Sequence, residues 1–198
     1  MRIFFAGASG VLGRHLLPLL IDAGHTVGAM TRSHAKVPWL TATGAQPIVC
    51  DVFDRAALTR AVESFSPGVV LHELTDLPDD STKLPEAATQ NARIRREGTE
   101  NLLAAMEGLS TPARIVAQSI AWDMPPGVEA DAVAYLEKNV LAAGGVILRY
   151  GFFYGPGTYF ENELPPAPRV RIDRAAVQTI ASLQAPPGVL TVVDEDPR

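Results

Sequence analysis

Apolar positions along the chain fall into short runs separated by longer stretches in which they recur every three to four residues. The short runs at 2–6, 26–30, 46–50, 68–72, 114–118, 146–150 and 189–193 read as buried strands. The longer stretches at 11–23, 54–65, 87–106, 130–143 and 172–183 read as helices, several closed by a stop such as Gly24 or Gly144-Gly145. Pro18 falls inside the first helix and predicts a bend there unless packing absorbs it. Asp54 is placed to cap the second. Strands that alternate with helices predict a doubly wound parallel sheet in three α/β/α layers. Its ligand crevice would lie at the carboxyl ends of the strands.

The first strand runs directly into Gly7-Ala8-Ser9-Gly10-Val11-Leu12-Gly13, a GxxGxxG turn that opens the first helix. Glycines there let the backbone turn tightly and let a pyrophosphate approach with no Cβ in the way. The helix N-terminus then offers unpaired N–H groups and the positive end of its dipole. The turn therefore predicts a dinucleotide site. The end of the second strand chooses the dinucleotide. An acid there would hold the ribose 2′-hydroxyl of NAD, but the stretch reads Thr31-Arg32-Ser33-His34-Ala35-Lys36. Arg32 suits a 2′-phosphate, with Thr31 beside it, so NADP is expected ahead of NAD.

Composition narrows the function classes. The 198 residues carry 47% hydrophobic and 20% charged residues, the balance of an ordered globular chain. The net charge of −5 argues against a nucleic-acid surface. Cys50 is the only cysteine, so neither an internal disulfide nor a cysteine-rich zinc site can form. No apolar run approaches a membrane span. A single domain over residues 1–198, in the cytoplasm, is the expectation. No HExxH, P-loop or GxSxG motif competes with the glycine turn.

These residues resemble the short-chain dehydrogenase/reductase superfamily, in the extended or atypical branch that holds the epimerase/dehydratase-like and NmrA-like proteins. The resemblance rests on the glycine turn, Cys50-Asp51-Val52, Val69-Val70-Leu71-His72, Asn91 with Gly98-Thr99-Glu100-Asn101-Leu102-Leu103, and Leu148 through Gly157. It implies a Rossmann fold. It also implies that Asp51 and Val52 meet the adenine, that Leu74 and Thr75 line the cofactor, and that backbone near Tyr150 meets the nicotinamide end. A homodimer through the helices at 87–106 and 130–143 is implied as well. The segment at 151–172, which builds the substrate side in relatives, is short here.

Members that move hydride pair a tyrosine with a lysine four residues on, near a serine or threonine that holds the substrate oxygen. Ser119 occupies the serine position. Tyr135 and Lys138 offer a pair at a spacing of three, which shares a helix face. However, if Glu137 is the family's glutamate, the tyrosine and lysine positions fall on Glu129 and Val133. The resemblance thus implies an NADP(H)-dependent oxidoreductase or epimerase/dehydratase-like protein acting on a small carbonyl or sugar-like substrate. The alternative is a non-catalytic NADP(H) sensor or regulator of the NmrA-like type.

Overall fold

A computed structural model describes residues 1–195. Seven strands form one parallel sheet: β1 (Arg2–Ala6), β2 (Thr26–Thr31), β3 (Gln46–Val49), β4 (Val69–His72), β5 (Arg114–Ile120), β6 (Val146–Tyr150) and, last in the chain, β9 (Gly188–Val192). Two further strands, β7 (Phe152–Tyr154) and β8 (Arg169–Arg171), pair in parallel as a small separate sheet beyond the end of β6. The main sheet runs β3-β2-β1-β4-β5-β6-β9. Its order reverses direction between β1 and β4, and the glycine turn leaves β1 at that point.

The helices are α1 (Val11–Asp22), α2 (Val37–Ala42), α3 (Arg55–Phe65), α4 (Leu84–Arg93), α5 (Thr99–Glu107), α6 (Val128–Ala142) and α7 (Ile172–Ser182). Asp54 caps α3 as expected, accepting from the Ala57 N–H at 2.9 Å. Pro18 leaves α1 unbroken. Leu17 and Leu20 on either side of it are fully buried, so packing holds the helix where one backbone bond is missing.

Period-two alternation along β1 supplies both faces of the sheet. Phe5 joins Leu16, Leu20, Leu71 and Leu148 on the α1/α7 side. Phe4 joins Leu58, Val62, Val70 and Leu102 on the α3/α5 side. Each such buried side chain contributes about 1.5–3 kcal/mol.

Three features depart from the sequence reading. A 3-10 turn at His34–Lys36 and α2, with Pro38 in its first turn, fill a stretch to which the sequence pattern assigns no element. The small β7/β8 sheet organises the segment at 151–172. Finally, the helix expected over 87–106 is two helices joined by a π-helical stretch, Ile94–Gly98. The wide turn inserts a residue into the helical repeat, which apolar spacing does not reveal. Beyond it, Asn101 Nδ2 donates to the Val52 carbonyl at 2.9 Å. Among the described residues, no helix is long and apolar enough to cross a membrane, and no group of three or more His, Cys, Asp or Glu residues is placed to hold a metal ion.

Candidate functional site

The carboxyl ends of β1, β2 and β4 enclose a crevice of about 240 Å³. Its floor is the glycine turn. Gly7 has φ +102°, and a Cβ there would lie 2.6 Å from the Glu73 carbonyl oxygen. A Cβ on Gly13 would collide with the Ala8 carbonyl. Both positions thus require glycine. Gly10 precedes α1, whose first-turn N–H groups have no intrahelical acceptor and stand free for an anion. Gly7, Ser9 and Gly10 line the crevice. Ala8 and Leu12 are buried in the core behind it, and Val11 is exposed.

At one end, Thr31, Arg32, Ser33 and Lys36 line the wall. Thr31 Oγ1 lies 3.4 Å from Ser9 Oγ and accepts from the Ser33 N–H at 3.2 Å, which ties this wall to the floor. Arg32 donates to Asp76 Oδ1 at 2.9 Å, and its side chain is 54% exposed. The arginine expected to meet a 2′-phosphate is therefore held by a carboxylate across the mouth. Val52, Leu74 and Thr75 line the crevice as the resemblance implies. Asp51 Oδ1 accepts from the Phe53 N–H at 2.9 Å, closing its own turn. Tyr150 is buried beneath the crevice, with its hydroxyl 2.6 Å from Thr179 Oγ1.

Further along the strand ends, β5 and β6 set Ser119 beside Arg149 in register. Glu137 of α6 joins them. Ser119 Oγ donates to Glu137 Oε1 at 2.6 Å, while Arg149 Nε and Nη2 grip the two carboxylate oxygens at 2.8 and 2.6 Å. Burial works to raise the Glu137 pKa, but the bonds from Arg149 and Ser119 outweigh it and hold the carboxylate below its ordinary range.

The structure does not bring Tyr135 or Lys138 to this group. Tyr135 sits two positions from Glu137, on the other side of the helix. Its hydroxyl donates to Glu100 of α5, and the Arg96 guanidinium lies 5.1 Å from its ring centre. Lys138 is exposed.

Glu129 shares the Glu137 face of α6. It accepts from Asn91 Nδ2 at 3.3 Å, and Asn91 Oδ1 in turn accepts from the Asp76 N–H at 3.2 Å. Arg95, on the π-helical stretch, is 5% exposed, and its Nε and Nη1 have no hydrogen-bond partner among the described residues. Burial lowers its pKa, and the charges of Glu129 and Glu137 oppose that. His72 at the end of β4 is fully buried. Its Nε2 lies 3.0 Å from Thr99 Oγ1, and burial, then Arg95, lowers its pKa to about 3. It is a neutral core histidine.

A family model described as NAD(P)H-binding matches residues 7–143, from the glycine turn through α6. The chain belongs to this NAD(P)H-binding family of the short-chain dehydrogenase/reductase superfamily. Among its family relatives is the 3-diazoavenalumate denitrifying reductase of a Streptomyces species. It is 33% identical over an alignment of 239 positions that spans 100% of this chain and 77% of that protein. The family member described here is thus the shorter of the two within the aligned span. Among solved structures, UDP-glucose 4-epimerase of Thermus thermophilus in complex with NAD superposes with a TM-score of 0.75 at 19% identity, covering 98% of this chain and 78% of that one. Yeast methylglyoxal/isovaleraldehyde reductase Gre2 with NADPH gives 0.75 at 15%, over 98% and 78%. These likenesses show the fold. The family match and the reductase relative make this an NAD(P)-binding, oxidoreductase-like protein.

Two residues of the site escaped the sequence reading, and a third was seen only in part. Lys36 reaches the crevice because the 3-10 turn folds it back. Glu73 lines the crevice one residue past an apolar strand, where nothing in the local pattern marks a buried acid. Glu129 was visible through the register from Glu137, but its link to Asn91 was not.

Proposed function

We propose that this protein is an NADPH-dependent reductase whose acceptor is a flat electrophile that expels a leaving group as hydride arrives. The observation that carries this reading is the α6 register. With Glu137 anchored to Ser119 and Arg149, the positions where relatives place tyrosine and lysine hold Glu129 and Val133. A carbonyl acceptor needs a proton at oxygen while hydride adds to carbon, and the missing pair is what would supply it.

The glycine turn, the N-terminus of α1 and the Thr31–Lys36 wall fit a dinucleotide. Bound there, reduced nicotinamide supplies a hydride. A diazonium carbon accepts that hydride as its C–N bond breaks. The bonding pair leaves in dinitrogen, and the nicotinamide ends oxidised, so no proton donor is required. The diazo substrate of the Streptomyces relative supports this class. So does the substrate side, where Trp122 and Phe152 stack at 4.1 Å with 13° between their planes, and Phe160 meets Phe152 edge-on.

Arg32, Thr31 and Lys36 favour NADP over NAD. Ser119, whose proton is given to Glu137, contributes an acceptor oxygen. Residues 1–198 would form one domain, and α4 to α6 would form the face of a homodimer, checked by analytical ultracentrifugation.

The experiment offers NADPH deuterated at the transferable position together with an aromatic diazo acid. Expected are loss of reduced-nicotinamide absorbance, release of dinitrogen and deuterium on the ring carbon. Tight NADPH binding without turnover on diazo or carbonyl panels would overturn the reading in favour of a sensor.

A further inference from the structure

The far wall of the crevice contains a carboxyl group that the reaction above does not use. Glu73 follows β4 directly, lines the crevice and is 6% exposed. Its backbone N–H donates to the Ala6 carbonyl at 2.8 Å, and its carbonyl and Cβ fill the space that Gly7 leaves. The side chain is thereby fixed under the glycine turn, at the end of the crevice away from Arg32. Its Oε2 is buried and has no hydrogen-bond partner among the described residues. Its Oε1 has one weak neighbour, the Tyr150 hydroxyl at 3.5 Å.

Proton accounting isolates the carboxyl further. Thr179 Oγ1 donates to the Ala175 carbonyl at 2.7 Å, so the Tyr150 hydroxyl is left to donate to Thr179 at 2.6 Å. Little remains for Glu73. Among the described residues, no cation faces it from any surrounding element. His72 of β4 turns to Thr99 on the other side of the sheet and is neutral. On α1, Arg14 is exposed and His15 meets the Pro156 carbonyl. On α7, Asp173 pairs with Arg171, and Arg174 pairs with Asp194. Arg32 and Asp76 bind each other at the opposite end. A carboxylate buried without donors or cations takes up a proton. Burial accordingly raises this group well above the ordinary carboxylate range, with the Tyr150 contact opposing.

We propose that Glu73 is a cofactor-binding residue, its neutral carboxyl donating from Oε2 to an oxygen of the pyrophosphate–nicotinamide half of the dinucleotide. Donation from this otherwise unpartnered carboxyl satisfies both groups. The anionic carboxylate in its place would repel the pyrophosphate, so binding is coupled to one proton. The inference holds for any chemistry the nicotinamide performs, and failure of the hydride reading leaves it standing.

The test is NADPH affinity by fluorescence titration between about pH 5 and 9, with binding enthalpy in buffers of different ionisation enthalpy to count protons. Wild-type Kd should be flat at low pH and rise tenfold per pH unit above the Glu73 pKa, with one proton taken up there. Glu73→Gln keeps a donor and should bind within a few fold of the wild-type acid limit, with no pH dependence from this group. Glu73→Leu should bind about tenfold more weakly at low pH. The fragment 2′,5′-ADP, which lacks the nicotinamide half, should bind all three alike. A wild-type pH profile that persists in Glu73→Gln overturns the proposal. So does Glu73→Leu binding NADPH at full strength, or no NADPH binding at all.

Discussion

The Ser119 hydroxyl donates to Glu137 Oε1 across 2.6 Å, and this contact fixes which residues of α6 share the face turned to Ser119. At about 100° per residue, Glu129 and Val133 stay within a quarter turn of Glu137, whereas Tyr135 lies about 160° away, nearly opposite. The helix cannot offer both Glu137 to Ser119 and Tyr135 to a substrate.

The Glu137–Arg149 pair should therefore respond unequally to loss of either partner. Glu137 is 12% exposed and Arg149 44%. Arg149→Ala leaves a shielded carboxylate with Ser119 alone and should cost about 2 kcal/mol. Glu137→Gln leaves an arginine that water can reach and should cost about 1 kcal/mol or less. Urea unfolding of both variants checks the order, and equal losses would contradict it.

Gly7→Ala should be among the most damaging single-methyl additions. The backbone lies at positive φ and the new Cβ would press on the Glu73 carbonyl, so a loss of about 2 kcal/mol or more is expected, together with loss of NADPH binding. Gly24→Ala is the control. Its φ of +77° is also positive, but a Cβ there meets nothing within 4 Å, and about 1 kcal/mol should suffice.

Arg32 is held by Asp76 before any nucleotide arrives. Arg32→Ala should weaken NADPH about tenfold or more while barely changing NADH. Asp76→Asn releases the guanidinium and should tighten NADPH a few fold. Parallel titrations with both nucleotides decide this, and equal effects on the two would sink the 2′-phosphate role.

Acid should destabilise the fold through His72. Burial and Arg95 hold it at about 3 in the folded chain, against an ordinary 6.5. Between those values the unfolded chain binds a proton that the folded one refuses, so stability is full above about pH 6.5 and falls as pH drops toward 3. His72→Gln retains a donor for Thr99 and should flatten that limb of the urea midpoint against pH. An unchanged slope would assign acid sensitivity elsewhere.

The sheet and its nucleotide half were legible because buried parallel strands read as apolar runs and because the glycine turn depends on local backbone geometry. Gly7, Ser9, Gly10, Thr31, Arg32, Val52, Leu74 and Thr75 all line the crevice. What failed depended on long-range partners. Tyr135 and Lys138 match by type and spacing, but rotation about the α6 axis takes them away from Ser119. Glu73 gave no sign in one dimension, since its isolation is made by Gly7, Tyr150 and Thr179 from three separate parts of the chain.

The π-helical stretch at Ile94–Gly98 makes this part of the chain intolerant of length change. Deleting one residue there would restore regular helical spacing, yet it would rotate all of α5 by about 100°. Asn101 would leave the Val52 carbonyl, Leu102 would leave the core, and Thr99 would abandon His72. An insertion would do the same in the opposite sense. Length variation that the fold accepts should therefore concentrate in surface connections such as 109–113 and 155–168, while the span 84–107 behaves as a ruler whose graduations cannot be added or removed singly.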